Sequence, residues 1–207
     1  MKICRFDDNR LGLVEGDKIL DVTSALDALP AYRYPLPRTD QLIENLDMLK
    51  PRMLEAAKTA KAVSASSVKF LPPVANPGKV VAAPVNYKAH LEESRGDVEI
   101  NHNRQVIEIQ TIGMFLKSTS SIVGASEGVK ISMPERRNDH EIELVAIMGK
   151  KARNVSKEDA LNYVAGYCIG LDMTIRGPEE RSLRKSLDTF TVLGPWFVTA
   201  EIGRAHV

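Results

Sequence analysis

Two apolar stretches that each carry carboxylates, HEIELVAIMG at 140–149 and YVAGYCIGLDMTI at 163–175, constrain this chain more than any other feature. Strand alternation in the first sends Glu141 and Glu143 to one face and Ile142, Leu144, Ala146 and Met148 to the other. The glutamate face turns apolar at Val145 and Ile147, which predicts a strand buried on both faces with its acids at one end. Carboxylates close together out of water repel unless something positive neutralises them. Alone, an E-x-E pair is more often a solvated strand face. Asp172 shifts that balance, because it interrupts a run otherwise almost wholly apolar, where an unpaired aspartate is costly. The competing reading of Asp172 is a strand-end aspartate bonded to backbone amides. Oxygen ligands of this kind suit a hard divalent cation such as magnesium, manganese or calcium.

Other residues have chemistry that depends on placement. His90 and Glu93 are three apart in NYKAHLEESRG, so on a helix the carboxylate orients the imidazole, and such a pair can take a proton from water. Their spacing equally fits a surface helix. Lys185 and Lys117 are candidates for stabilising developing negative charge. Arg176 lies four residues after Asp172 and can pair with it or with a substrate carboxylate. His102 has a weaker claim, and His140 points to the strand face opposite the glutamates.

The N-terminal 25 residues alternate short apolar runs with turns, a meander of strands. Residues 40–62 read as helical through Leu42, Leu46 and Leu49, with Pro51 dividing the run into two short helices. LPPVANPGK at 71–79 is an extended connector, and 71–78 is the expected boundary between a small domain at 1–70 and a second part at 79–200. The polar stretch 94–112 reads as a loop of the length used for lids. A helix is expected to open at Ser156, capping Asp159, with Ala160, Leu161 and Val164 as its apolar face.

Charge narrows the partners. Lys and Arg total 28 against 27 Asp and Glu, interspersed, so no field for capturing nucleic acid or an anionic membrane is expected. A small molecule is the expected partner. Cys4 and Cys168 form no CxxC pair, and no apolar run reaches the roughly 20 residues that cross a bilayer, so a cytoplasmic location is expected.

Taken together, NYKAHLEE (86–93), FLK (115–117), DHEIELVAIMGKKARNV (139–155), DALNYVAGYCIGLDMTIR (159–176) and KSLDTFTVLGPWFVT (185–199) resemble the fumarylacetoacetate hydrolase family in content, order and spacing. The resemblance implies an α+β fold, a mixed β-roll, with a small β-rich N-terminal domain like that of many bacterial members. It implies Glu141, Glu143 and Asp172 as ligands of Mg2+, with Mn2+ or Ca2+ as alternatives. It implies His90 and Glu93 as the water-activating pair, Lys185 near the oxyanion, and Arg176, Lys117 and Tyr87 as substrate-binding residues. The implied reaction is carbon–carbon hydrolysis of a 1,3-diketone or acylpyruvate-type 2-oxo acid through a metal-stabilised enolate. A hydratase, isomerase or decarboxylase of 2-oxo acids is the alternative, and a non-catalytic binding protein a third. A homodimer is implied by analogy.

This chain departs from the family at Pro84-Val85-Asn86-Tyr87, where Gly-x-Asn-Tyr is usual, and after Arg176, where Gly177 and Glu179 replace an acidic residue and a glutamine. The family's later Pro-Gly-Asp and Gly-Thr-Pro motifs do not occur after residue 200. A β-roll cut there is expected to expose strand edges and apolar faces, and to be aggregation-prone or inactive. The final EIGRAHV is expected to be a non-native tail at 201–207, since one encoding of it resembles a sequencing adapter.

Overall fold

A computed structural model describes residues 1–101 and 105–200, so His102 and the expected tail at 201–207 lie outside the described residues. β1 (Lys2–Phe6), β2 (Arg10–Glu15) and β3 (Lys18–Asp21) form the antiparallel meander predicted from their alternation. Its first turn places Asp7 and Asn9 at φ 45° and 63°, and its second places Gly16 at φ 60°. These residue types tolerate left-handed backbone.

Next come α1 (Gln41–Glu44) and α2 (Leu46–Ala57). Asp40 caps α1 by accepting from the Ile43 amide at 3.1 Å, and Leu42, Leu46 and Leu49 are buried as their spacing predicted. The break falls at Asn45 rather than Pro51, which sits inside α2. Proline there forfeits one amide bond on a flank where Pro51 and Asp47 are exposed and water replaces the lost partner.

β4 (Ala62–Ser64), β5 (Phe70–Leu71) and β6 (Val80–Ala82) lead to α3 (Lys88–Gly96), α4 (Val98–Asn101) and α5 (Ile109–Ile112). The stretch 94–112, expected as a loop, therefore holds the end of α3 and two short helices. The remaining elements are β7 (Phe115–Lys117), β8 (Ile122–Gly124), β9 (Asn138–Met148), β10 (Val164–Ile175), α6 (Arg181–Lys185) and β11 (Thr191–Thr199). Ser156 accepts from the Asp159 amide at 3.1 Å as expected, but a single 3-10 turn at Ala160–Tyr163 replaces the helix. Val164 already belongs to β10, so the apolar helical face never forms and Leu161 is exposed.

Nine strands share one sheet, in the order β4-β3-β2-β1-β11-β10-β9, with β5 added to β1 and β8 to β11. Among the described residues only the β8–β11 pair is parallel, so the sheet is mixed and the fold α+β. β6 and β7 pair separately. Because β1 bonds to β11, the connector at 71–78 joins parts that share both a sheet and a core. That core gathers Ile3, Leu11 and Leu49 with Ile147, Leu193 and Phe197.

The expectation that β9 is buried on both faces does not hold. Ile142, Leu144 and Met148 are 69%, 67% and 52% exposed, and Ile169 on β10, opposite Leu144, is 59% exposed. β9 ends the sheet, and no described element packs over that face.

Candidate active site

The register of β9 against β10 builds the site. Asp172 lies opposite Glu141, Thr174 opposite Asp139, and Gly170 opposite Glu143. Directly opposed residues share a face of the sheet. Asp139, Glu141, Glu143, Asp172 and Thr174 thus project together, on the side away from Ile142 and Leu144.

Two lysines enter this face from other elements. Lys185, at the end of α6, donates from Nζ to Glu141 Oε2 at 2.6 Å, Asp172 Oδ2 at 2.7 Å and Thr174 Oγ1 at 2.6 Å. Lys117, the last residue of β7, donates to Asp172 Oδ1 and, at 2.9 Å, to the Phe190 carbonyl. Arg176 completes the set, with Nε to Asp139 Oδ2 at 2.7 Å and Nη2 to Glu141 Oε1 at 2.6 Å. The side chains of Lys117, Lys185 and Asp172 are 2%, 9% and 10% exposed, so these are buried ion pairs whose desolvation only close partners can offset.

The two glutamates respond oppositely to this environment. Burial pushes Glu141 up, but Lys185 and Arg176 outweigh it and hold the carboxyl below its usual range. Glu143 is pushed up, first by burial and then by the Glu141 and Asp172 carboxylates. Among the described residues no hydrogen bond or ion pair engages the Glu143 side chain, and the attraction of Lys185 and His90 only partly offsets the burial and the neighbouring carboxylates. Burial also pulls Lys117 down despite the neighbouring Asp172.

α3 carries His90 and Glu93 to the same place. His90 Nδ1 and Glu93 Oε2 are 3.2 Å apart, the contact expected from their helical spacing. A cleft of about 440 Å³ brings Tyr87, His90 and Glu93 over Glu141, Glu143 and Arg176. Before α3, Val85 has φ 47°, a conformation that β-branched residues avoid. The departure at Pro84-Val85 is therefore a backbone departure beside the cleft. A second cleft of about 410 Å³, near Lys50, Gly149 and Tyr163, holds none of these groups.

Among the described residues no group of three or more His, Cys, Asp or Glu stands arranged to hold a metal ion. The donor chemistry nonetheless fits one. Three carboxylates share a face, two of them converge within reach of a single ammonium, and the third is pushed up by burial and by the other two. Such a set suits a hard, oxygen-preferring dication.

All nine candidate residues cluster here, though not in equal roles. Lys117 lies behind Asp172 rather than on the cleft wall, and Arg176 and Lys185 are engaged by carboxylates. His140 is exposed on the cleft rim. Sequence reasoning missed Asp139 and Thr174, which same-face parity with Glu141 and Asp172 could have found. It also missed Arg136 and Arg137, which have no local signal.

Residues 79–206 match the family described as Fumarylacetoacetate (FAA) hydrolase C-terminal. The chain belongs to the fumarylacetoacetate hydrolase family. A maleylpyruvate hydrolase of Aquipseudomonas alcaligenes is 56% identical over 203 residues, covering 97% of this chain and 71% of the relative. A mitochondrial oxaloacetate tautomerase of Xenopus laevis is 30% identical over 203 residues, covering 93% of this chain and 57% of the relative. The crystal structure of maleylpyruvate hydrolase from Sphingobium sp. SYK-6, in complex with manganese(II) ion and pyruvate, superposes with a TM-score of 0.76 at 36% identity. That superposition covers 97% of this chain and 68% of the solved one. Membership of the family, with hydrolases among its relatives, makes the chain an enzyme of the fumarylacetoacetate hydrolase family, as its motifs implied.

Proposed function

We propose that this chain carries the catalytic carboxylates and proton-transfer pair of a metal-dependent hydrolase that cleaves a carbon–carbon bond in an acylpyruvate. The observation that carries this reading is the meeting in one cleft of His90 and Glu93 with Glu141 and Glu143. The maleylpyruvate hydrolase relative at 56% identity and the solved relative holding manganese and pyruvate support the same substrate class.

Glu141, Glu143 and Asp172 would hold the cation, manganese or magnesium before calcium; when bound it supplies charge stabilisation for the developing enolate. Glu93 accepts the His90 Nδ1 proton, which leaves Nε2 to take a proton from water. The water oxygen adds to the acyl carbonyl carbon, the bond from that carbon to the pyruvyl methylene breaks with its electron pair leaving on the pyruvyl fragment, and the proton held by His90 returns to the methylene carbon, giving a carboxylic acid and pyruvate. The Lys185 ammonium places positive charge beside the reacting oxygens. Tyr87 and Arg176, on the cleft walls, bind substrate, while Lys117 fixes Asp172 from behind. Closure of α3 over the carboxylates excludes bulk water. A cytoplasmic homodimer belongs to the same proposal; no helix among the described residues is long and apolar enough to cross a membrane.

The tautomerase relative favours a second reading, in which the dyad and carboxylates interconvert keto and enol forms without cleavage. Product analysis separates the two. Incubation of an acylpyruvate with the protein and Mn2+ is expected to release pyruvate and a carboxylic acid, with Glu143→Ala losing this activity. Full activity in Glu143→Ala contradicts the ligand assignment. Ketonisation of oxaloacetate with intact acylpyruvate establishes the tautomerase reading instead.

A further inference from the structure

Arg136 and Glu179 lie outside the carboxylate cluster but meet at the backbone of one of its members. Arg136 Nη1 donates to Glu179 Oε1 at 2.9 Å and Nη2 to Glu179 Oε2 at 2.8 Å, a two-pronged pair of the strong kind. The same Nη2 donates to the main-chain carbonyl of Arg176 at 2.7 Å. On its other side the Arg176 amide donates to the Arg137 carbonyl at 2.9 Å. The Arg176 main chain is therefore gripped at both its donor and its acceptor, while its guanidinium grips Asp139 and Glu141.

Gly177 is what lets this clamp close. A Cβ at that position would stand 1.6 Å from Arg136 Nη2 and 2.4 Å from Glu179 Oε2. A guanidinium held by three hydrogen bonds cannot step aside cheaply, so any side chain at 177 displaces it from the Arg176 carbonyl. Glu179 also has a reason to be acidic. A glutamine offers one acceptor oxygen and keeps one prong, whereas the carboxylate accepts both. The residues at 177 and 179 and the arginine at 136 form one compensated unit.

We infer that Arg136 is a positioning residue: paired with Glu179 and admitted by Gly177, it fixes the Arg176 main chain and so aims the guanidinium that holds Glu141. Its consequence for metal affinity rests on the reading of Glu141 as a ligand; its consequence for Arg176 does not.

The test measures two quantities in the parent protein and in Arg136→Ala and Gly177→Ala. The first is the water-exchange rate of the Arg176 Nε–H, followed by 15N NMR; the second is the Mn2+ dissociation constant. Release of the clamp is expected to speed Arg176 exchange about tenfold, as for other locally opened hydrogen bonds. It is expected to weaken Mn2+ binding by about tenfold, the low end for lost outer-shell support. A purely structural ion pair would lower Tm and leave both quantities unchanged, and that result overturns the inference. Faster Arg176 exchange in a protein whose parent binds no Mn2+ upholds the positioning role and removes the metal reading. Where either variant fails to fold, the isosteric Glu179→Gln decides: a smaller acceleration of Arg176 exchange supports the clamp, and an unchanged rate overturns it.

Discussion

At one end of the nine-stranded sheet, Ile3, Phe6, Leu11 and Ile19 of the meander are all at 1% exposure or less. At the other end, one face of β9–β10 leaves Ile142, Leu144 and Ile169 more than half exposed, while the opposite face buries carboxylates against two lysines and an arginine. The meander is held by apolar burial, which is non-directional and tolerates repacking. The site end is held by charge neutralisation, which is directional and fails when a single partner is removed. A sheet face that gathers acids cannot also cover them with hydrocarbon. The carboxylate face therefore falls where the apolar core is thinnest.

The largest effects should separate the two ends by pH. Phe6→Ala is expected to cost about 3–5 kcal/mol by cavity formation, equally at every pH where the fold persists. Lys185→Met is expected to cost about 3–5 kcal/mol near neutrality, because it leaves Glu141 and Asp172 buried without a shared counter-ion. Unlike the first, this loss should shrink as pH falls through the range in which Glu141, held low by Lys185 and Arg176 against its burial, takes up its proton. Urea melts at pH 7 and at a pH below the ordinary glutamate value of 4.5 check both; equal pH dependence in the two variants would erase the distinction.

A smaller effect is expected at the exposed apolar face. Leu144→Ser should change stability by no more than about 0.5 kcal/mol and should reduce self-association in sedimentation velocity. A loss of several kcal/mol would mean that the face is covered.

The smallest effect concerns the Arg136–Glu179 pair. Arg136 holds the Glu179 carboxyl at about 2, below its ordinary 4.5. A depressed carboxyl contributes stability above its unfolded value and loses it as pH falls towards the folded one. The difference in urea midpoint between parent and Glu179→Gln should therefore be present at pH 6 and vanish near pH 2, if the fold survives there. A difference that persists at the lower pH would contradict the assignment of cause.

Local patterns made much of this legible. The parity of Glu141 and Glu143, the apolar setting of Asp172, and the three-residue spacing of His90 and Glu93 each set a direction that the fold preserves. The leucines of α1 and α2 did the same. What escaped the sequence depends on contacts distant along the chain. Arg136 and Glu179 are 43 residues apart, and nothing near either one announces the other. The exposure of Ile142 and Leu144 follows from which strands pair with β9, not from the composition of β9. The helix expected at Ser156 lost Val164 to β10, where it pairs with Met148 of β9. Pro51 misled for a simpler reason, since one missing amide bond on a wet flank is cheap.

The most direct measurement is calorimetric titration of Mn2+ into the parent protein and into Glu141→Gln, Glu143→Gln and Asp172→Asn. If the three carboxylates share one cation, the parent binds about one Mn2+ per chain and each substitution weakens binding by at least about tenfold. A folded Glu143→Gln protein that binds Mn2+ as tightly as the parent would contradict that arrangement.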